Sequence, residues 1–137
     1  MEFLTEEAVY KKTPQQLTAL LYEGLIESVE EAIASTKKGD YSYANKLLQK
    51  ANDILQRLGV GLNYDAGIIA HQLDALYNYM AERLIDANMK KDVAMMQEVL
   101  TIAKDIATAW NEALKKQPTT NVVAKKAATY EQFIMTE

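Results

Sequence analysis

Any acid–base, nucleophilic or metal chemistry in this sequence would have to come from a narrow set of side chains. There is one histidine, His71, and no cysteine. That removes thiol nucleophiles, thiolate metal sites, disulfides and any site that needs two imidazoles. Di-metal helical bundles hold their ions with paired Glu-x-x-His motifs, but three residues before His71 stands Ile68. His71 therefore reads as a solvated or hydrogen-bonded helix residue. Glu27, Glu30 and Glu31 lie close together but mostly face away from the core of their helix, where a charge run marks a solvated surface. No glycine-rich phosphate cradle, Walker pattern or nucleophile–base pair is present. The residues predict no catalytic group, no metal and no cofactor, hence a protein that is not an enzyme. Six methionines raise instead the reading of a plastic binding surface. Met80 and Met96 are assigned to the core, and Met89 and Met95 stay open.

Composition narrows the partners. A chain of 137 residues fits one domain with its own core. Its net charge of −4 disfavours nucleic acid, whose phosphates demand clustered cations. The start Glu2-Phe3-Leu4-Thr5-Glu6-Glu7 is acidic and only briefly apolar, unlike a secretory signal. No apolar run approaches the ~18 residues of a membrane span. A cytoplasmic protein without direct membrane insertion is expected.

The elements that would carry a binding surface are helices. Thr13-Pro14-Gln15-Gln16 reads as a capped start, with Pro14 at the first helical position and Gln16 completing a capping box. Lys37-Lys38 suit the negative end of that helix, and Gly39 offers the left-handed cap. Asp40 caps the second helix, Asn63-Tyr64-Asp65-Ala66-Gly67 forms a loop, and Asp92 caps the fourth helix, which must stop before Pro118. Gly59 and Gly61 could fray the second helix early. Helices are expected at about 13–38, 40–62, 68–87 and 92–116. Apolar residues recur at three-and-four spacing in each, and short connections make neighbours antiparallel. The expected fold is all-α: an antiparallel up-down-up-down four-helix bundle over 13–116, an N-terminal arm over 1–12, and a C-terminal tail over 117–137.

The first helix carries too much apolar surface for one core stripe. Leu17, Leu20, Leu21, Gly24, Leu25 and Ala32 are its expected stripe, and Tyr22, Ile26, Val29 and Ile33 continue it sideways. The fourth helix repeats the pattern with Met95, Ile102 and Ala109, and the third flanks its stripe with Ile68, Tyr79 and Ile85. Either these flanks complete the core, or they leave exposed apolar grooves of the kind that accept amphipathic helices. The arm holds Phe3, Leu4, Val9 and Tyr10, which either pack on the bundle or cover a groove until a partner displaces them. In the tail, Val123, Ala127, Tyr130 and Ile134 share one side of a potential helix, which is either loosely docked or disordered.

The run Tyr10, Thr13-Pro14, Leu17 and Leu21-Tyr22-Glu23-Gly24 resembles the start of the flagellin-specific flagellar export chaperones, the FliS family. The resemblance continues through Gly39-Asp40, Ala51, Ile54, Leu58 and Leu62-Asn63. It is most specific at Tyr77-Asn78-Tyr79-Met80, Arg83-Leu84-Ile85, Ala87-Asn88 and Lys90-Lys91-Asp92, and closes with Ala109-Trp110. It spans about residues 10–114 and carries nothing over to the tail beyond Lys116.

The resemblance implies a four-helix chaperone without ATPase activity. Such a protein binds the C-terminal segment of newly made flagellin in the cytosol and prevents its premature polymerisation. It then presents flagellin to the cytosolic domain of the export gate of the flagellar type III apparatus. Tyr10 corresponds by position to the family's N-terminal tyrosine and is assigned to partner or export-gate contact, the alternative being a staple between arm and first helix. Tyr22 and Tyr79 match motif positions, as partner contacts or as core tyrosines with a bonded hydroxyl. Arg83 reads as structural. Ile26, Ile85, Met95 and Ile102, taken from periodicity alone, complete the expected partner surface. A homodimer could use the same flanks. The alternative function is a generic helical adaptor or secretion chaperone for another amphipathic-helix cargo.

Overall fold

The computed structural model describes residues 13–63, 65, 67–115, 126–127, 129–132 and 134. The expectations for Phe3, Leu4, Val9 and Tyr10, and for the tail over 117–125, lie outside the described residues. Four long helices follow one another: α1 (Pro14–Lys37), α2 (Tyr41–Val60), α3 (Ile68–Lys90) and α4 (Val93–Lys115). α1 and α3 each pack on both α2 and α4, which closes the helices into an antiparallel four-membered ring. No strand occurs among the described residues.

Local chemistry sets the helix ends. Thr13 Oγ1 accepts from the Gln16 backbone N–H at 3.1 Å, and the Thr13 N–H donates back to Gln16 Oε1 at 3.0 Å. Both arms of the capping box are thus made, satisfying two donors at the start of α1. Gly39 takes φ +81°, a conformation that costs a residue with a Cβ. Asp40 Oδ1 then accepts from Tyr43 N–H at 3.2 Å, and Asp92 Oδ1 from Met95 N–H at 3.2 Å. α2 ends at Val60 with Gly61 as its cap, two residues before the expected Leu62. α3 runs three residues beyond the expected Ala87, to Lys90. Asn88 Nδ2 donates to Asn45 Oδ1 of α2 at 2.6 Å, which holds that stretch helical, and Lys91 at φ 53° makes the reversal.

The core differs from expectation in α1. Tyr22, Leu25, Val29, Ala32 and Ile33 are the buried set, whereas Leu17, Leu20 and Leu21 are only half-buried. α1 is wedged between α2 and α4, so the line it presents to both runs through Tyr22, Leu25 and Val29, and the flank of the sequence reading becomes the centre. Leu48 and Leu55 of α2, Leu76, Met80 and Leu84 of α3 and Met96 and Ile106 of α4 complete the interior. Each such side chain stabilises the fold by about 1.5–3 kcal/mol relative to exposure.

Candidate functional site

The tight α3–α4 turn places two residues of α3, one helical turn apart, against one carboxylate of α4. Tyr79 OH donates to Glu98 Oε2 at 2.6 Å. Arg83 donates to Glu98 Oε1 through Nε at 2.9 Å and Nη2 at 2.6 Å. The Arg83 guanidinium also lies 6.0 Å from the centre of the Tyr79 ring. Both charged side chains are about a quarter to a third exposed (30% and 25%), so the pair sits at the rim of the α3–α4 groove. It latches the two helices at a fixed separation, the structural role expected of Arg83.

Below this latch α4 presents an apolar flank. Met95 precedes Glu98 by three residues and Ile102 follows it by four, so all three share a face. Ile102 stands ~100° around the helix from Ala103, which points into the core at 0% exposure. That angle alone would leave Ile102 at the rim of a bare bundle, yet Ile102 and Ala109 are each only 2% exposed. The C-terminal segment meets α4 on this same side, at Asp105. Its described residues within 126–134 are helical. Ala127 is fully buried in the apolar core cluster that all four helices share, and Tyr130 and Ile134 pack against that cluster. Tyr130 OH donates to the Asp105 carboxylate, three residues beyond Ile102. Burial, and then the neighbouring carboxylate, raise the Tyr130 phenol well above the ordinary tyrosine value, so it remains a proton donor at physiological pH.

The residues expected at a partner surface do not converge. Tyr79, Met95 and Ile102 share the α3–α4 groove, with Tyr79 at its rim and the other two beneath. Ile26 is half-buried on the α1–α4 side, one turn before Glu30, whose carboxylate meets Lys104 of α4 at 3.4 Å. Ile85 is 51% exposed and leans toward α2, one turn before the Asn88–Asn45 contact. Of the two readings open for Tyr22, a partner contact or a core tyrosine with a bonded hydroxyl, the structure takes the second: Tyr22 is 1% exposed. Its hydroxyl shares a 2.5 Å hydrogen bond with the Tyr77 hydroxyl, and its ring meets Trp110 edge-on at 6.2 Å between centroids. Burial raises both phenols, Tyr77 to about 12. Trp110 in turn donates from Nε1 to the Gln15 carbonyl at 3.0 Å, tying the end of α4 to the first turn of α1.

Sequence reasoning missed Asp105 entirely. An acidic residue on a helix flank carries no signal until the segment that bonds it is placed. Among the described residues no cluster of three His, Asp or Glu side chains could hold a metal ion. No described helix is long and apolar enough to cross a membrane.

The profile of the family described as flagellar protein FliS matches residues 4–117, which takes in all four helices. The chain belongs to the FliS family. It is similar to the flagellar secretion chaperone FliS of Bacillus subtilis, 33% identical over 112 residues, or 82% of this chain and 84% of that one. It is similar also to the FliS of Salmonella typhimurium, 34% identical over 113 residues (81% of this chain and 84% of that one), and to that of Escherichia coli, 32% identical over 111 residues (80% and 82%). FliS membership makes this a flagellar export chaperone and not an enzyme. The FliS match includes the Tyr79–Arg83–Glu98 latch and the apolar flank of α4, and it ends before the segment seated beside that flank.

Proposed function

We propose that this chain binds the C-terminal segment of flagellin in the cytoplasm, keeps it from polymerising, and presents it to the cytosolic domain of the flagellar type III export gate. The observation that carries the reading is a FliS match over the whole bundle, and it is supported by the large apolar side chains Ile68, Ile85 and Met89 that α3 leaves exposed. A terminal segment that is disordered alone folds into amphipathic helices on the bundle, losing chain entropy and burying apolar surface. While so bound, its helices are unavailable to a filament. Ile26, Ile85 and Tyr79 are the accessible contacts, and Met95 and Ile102 form the floor of the α3–α4 groove once a helix lies in it. Tyr10 is assigned to the partner or the export gate, and Phe3, Leu4 and Val9 to covering a groove at rest. No fuel is needed for release if a second site captures the cargo.

The test is calorimetric titration of the full chain with the last ~50 residues of the flagellin from its own organism, a length suited to coupled folding over a large surface. Saturable one-to-one binding with a large negative heat-capacity change is the expected result. Absence of binding by a well-folded chain would refute the proposal.

A further inference from the structure

The flank of α4 that reads as a helix-binding groove already has a helix against it, and that helix belongs to the same chain. Its contact face repeats a simple pattern: a small residue at Ala127, an aromatic three positions on at Tyr130, and an aliphatic seven positions on at Ile134. Ala127 at 0% exposure marks the point of closest approach, where a larger side chain would hold the helix away. Tyr130 supplies a donor to Asp105, so the groove reads one polar position as well as shape. The segment lies beyond residue 117, where the FliS match ends, so it is an addition to the bundle and not one of its four helices.

We infer that the flank of α4 around Ile102, Asp105 and Ala109 is a docking site for one amphipathic helix bearing this small–aromatic–aliphatic face, and that the chain's own C-terminal segment occupies it as an intramolecular competitor. The proposed function enters only as the identity of the physiological competitor, since the site itself is defined by the seated segment. Occupancy by the chain's own segment lowers the apparent affinity for an incoming helix in proportion to the fraction of molecules left open. A segment seated in about 90–99% of molecules weakens binding about 10- to 100-fold. Cargo therefore has to present more than a weak match to one groove, and a released tail becomes the signal that the groove is filled.

The test uses the full chain, its Ala127→Glu variant and its Tyr130→Phe variant, with a fluorescent synthetic peptide of residues 121–137 as probe. A carboxylate at position 127 has no partner in the buried site and expels the segment, while the four helices keep their core. Tyr130→Phe removes only the hydroxyl that bonds Asp105. The expected result is binding at least tenfold tighter to Ala127→Glu than to the unaltered chain, with Tyr130→Phe between the two. Hydrogen exchange at residues 129–132 of the unaltered chain should speed up when the last ~50 residues of flagellin are added. Equal probe binding by all three chains, or no binding by any, overturns the inference. So does a shift from dimer to monomer in Ala127→Glu, which would place the segment on a second copy. Flagellin binding equally to all three chains, with residues 129–132 still protected, overturns the competitor and leaves the proposed function standing. If flagellin binds none of them but the tail peptide behaves as expected, the proposed function fails and the gated groove stands.

Discussion

Replacing Tyr22 or Tyr77 by Phe tests the interior of the bundle through a cycle whose outcome is not additive. The two hydroxyls are buried and bonded to each other at 2.5 Å. Removing either one leaves the other without its partner in an apolar core, at a cost of about 1–3 kcal/mol. Removing both takes away two polar atoms and leaves two rings that still pack on each other and on Trp110, so the double variant should lie within about 1 kcal/mol of the original chain. The coupling energy is then about 2–3 kcal/mol, at the upper end for residues in contact. In a domain of this size each single substitution should lower the melting temperature by about 3–5 °C per kcal/mol. Urea unfolding followed by circular dichroism, with the slope unchanged across the four chains, measures the cycle. Alkaline titration adds a second readout. Burial raises Tyr77 from 10.0 to about 12, so above pH 10 the unfolded chain releases a proton that the folded chain retains. The tyrosine contribution is present in full below about pH 10 and is lost as the pH rises toward 12, by about 2–3 kcal/mol for Tyr77. The double variant should lose that part of the alkaline decline. A double variant as unstable as the sum of its singles would refute the reasoning.

Three further substitutions test other parts of the structure. Glu98→Ala removes the acceptor of Tyr79 and both Arg83 bonds; because the groups are partly exposed and screened, the expected loss is about 1–2 kcal/mol, and it should shrink in urea titrations at about 1 M salt. Ser28 is 1% exposed and its hydroxyl has no hydrogen-bond partner among the described residues, so Ser28→Ala should raise stability by about 1 kcal/mol, and a melting temperature that falls would contradict this. Asp92→Ala deletes the side-chain acceptor for Met95 N–H and should cost about 1 kcal/mol, measured by the same unfolding assay.

What could be read from the sequence followed from interactions a few residues long. The Thr13 capping box, the Gly39 turn and the Asp40 and Asp92 caps need only neighbouring residues, and each is present in the structure. The apolar spacing of α3 and α4 likewise reports the pitch of a helix, and the expected core residues Met80 and Met96 are buried. Where a contact crossed between helices, the reading slipped. α3 was expected to end at Ala87, but Asn88 bonds Asn45 of α2 and carries the helix to Lys90.

The division is sharpest at the candidate site. The sequence determined four amphipathic helices, their order and their caps, because periodicity and residue type are local properties. The tertiary structure decided which flank became core and which became groove. It put Tyr22 inside against Tyr77, separated Ile26 and Ile85 from the Tyr79–Met95–Ile102 face, and seated Ala127 and Tyr130 against α4 beside Asp105. Those outcomes depend on how far each helix is rotated about its axis and on where a distant segment comes to rest. A rotation of one residue, ~100°, exchanges core for rim, and the packing of the other three helices fixes it.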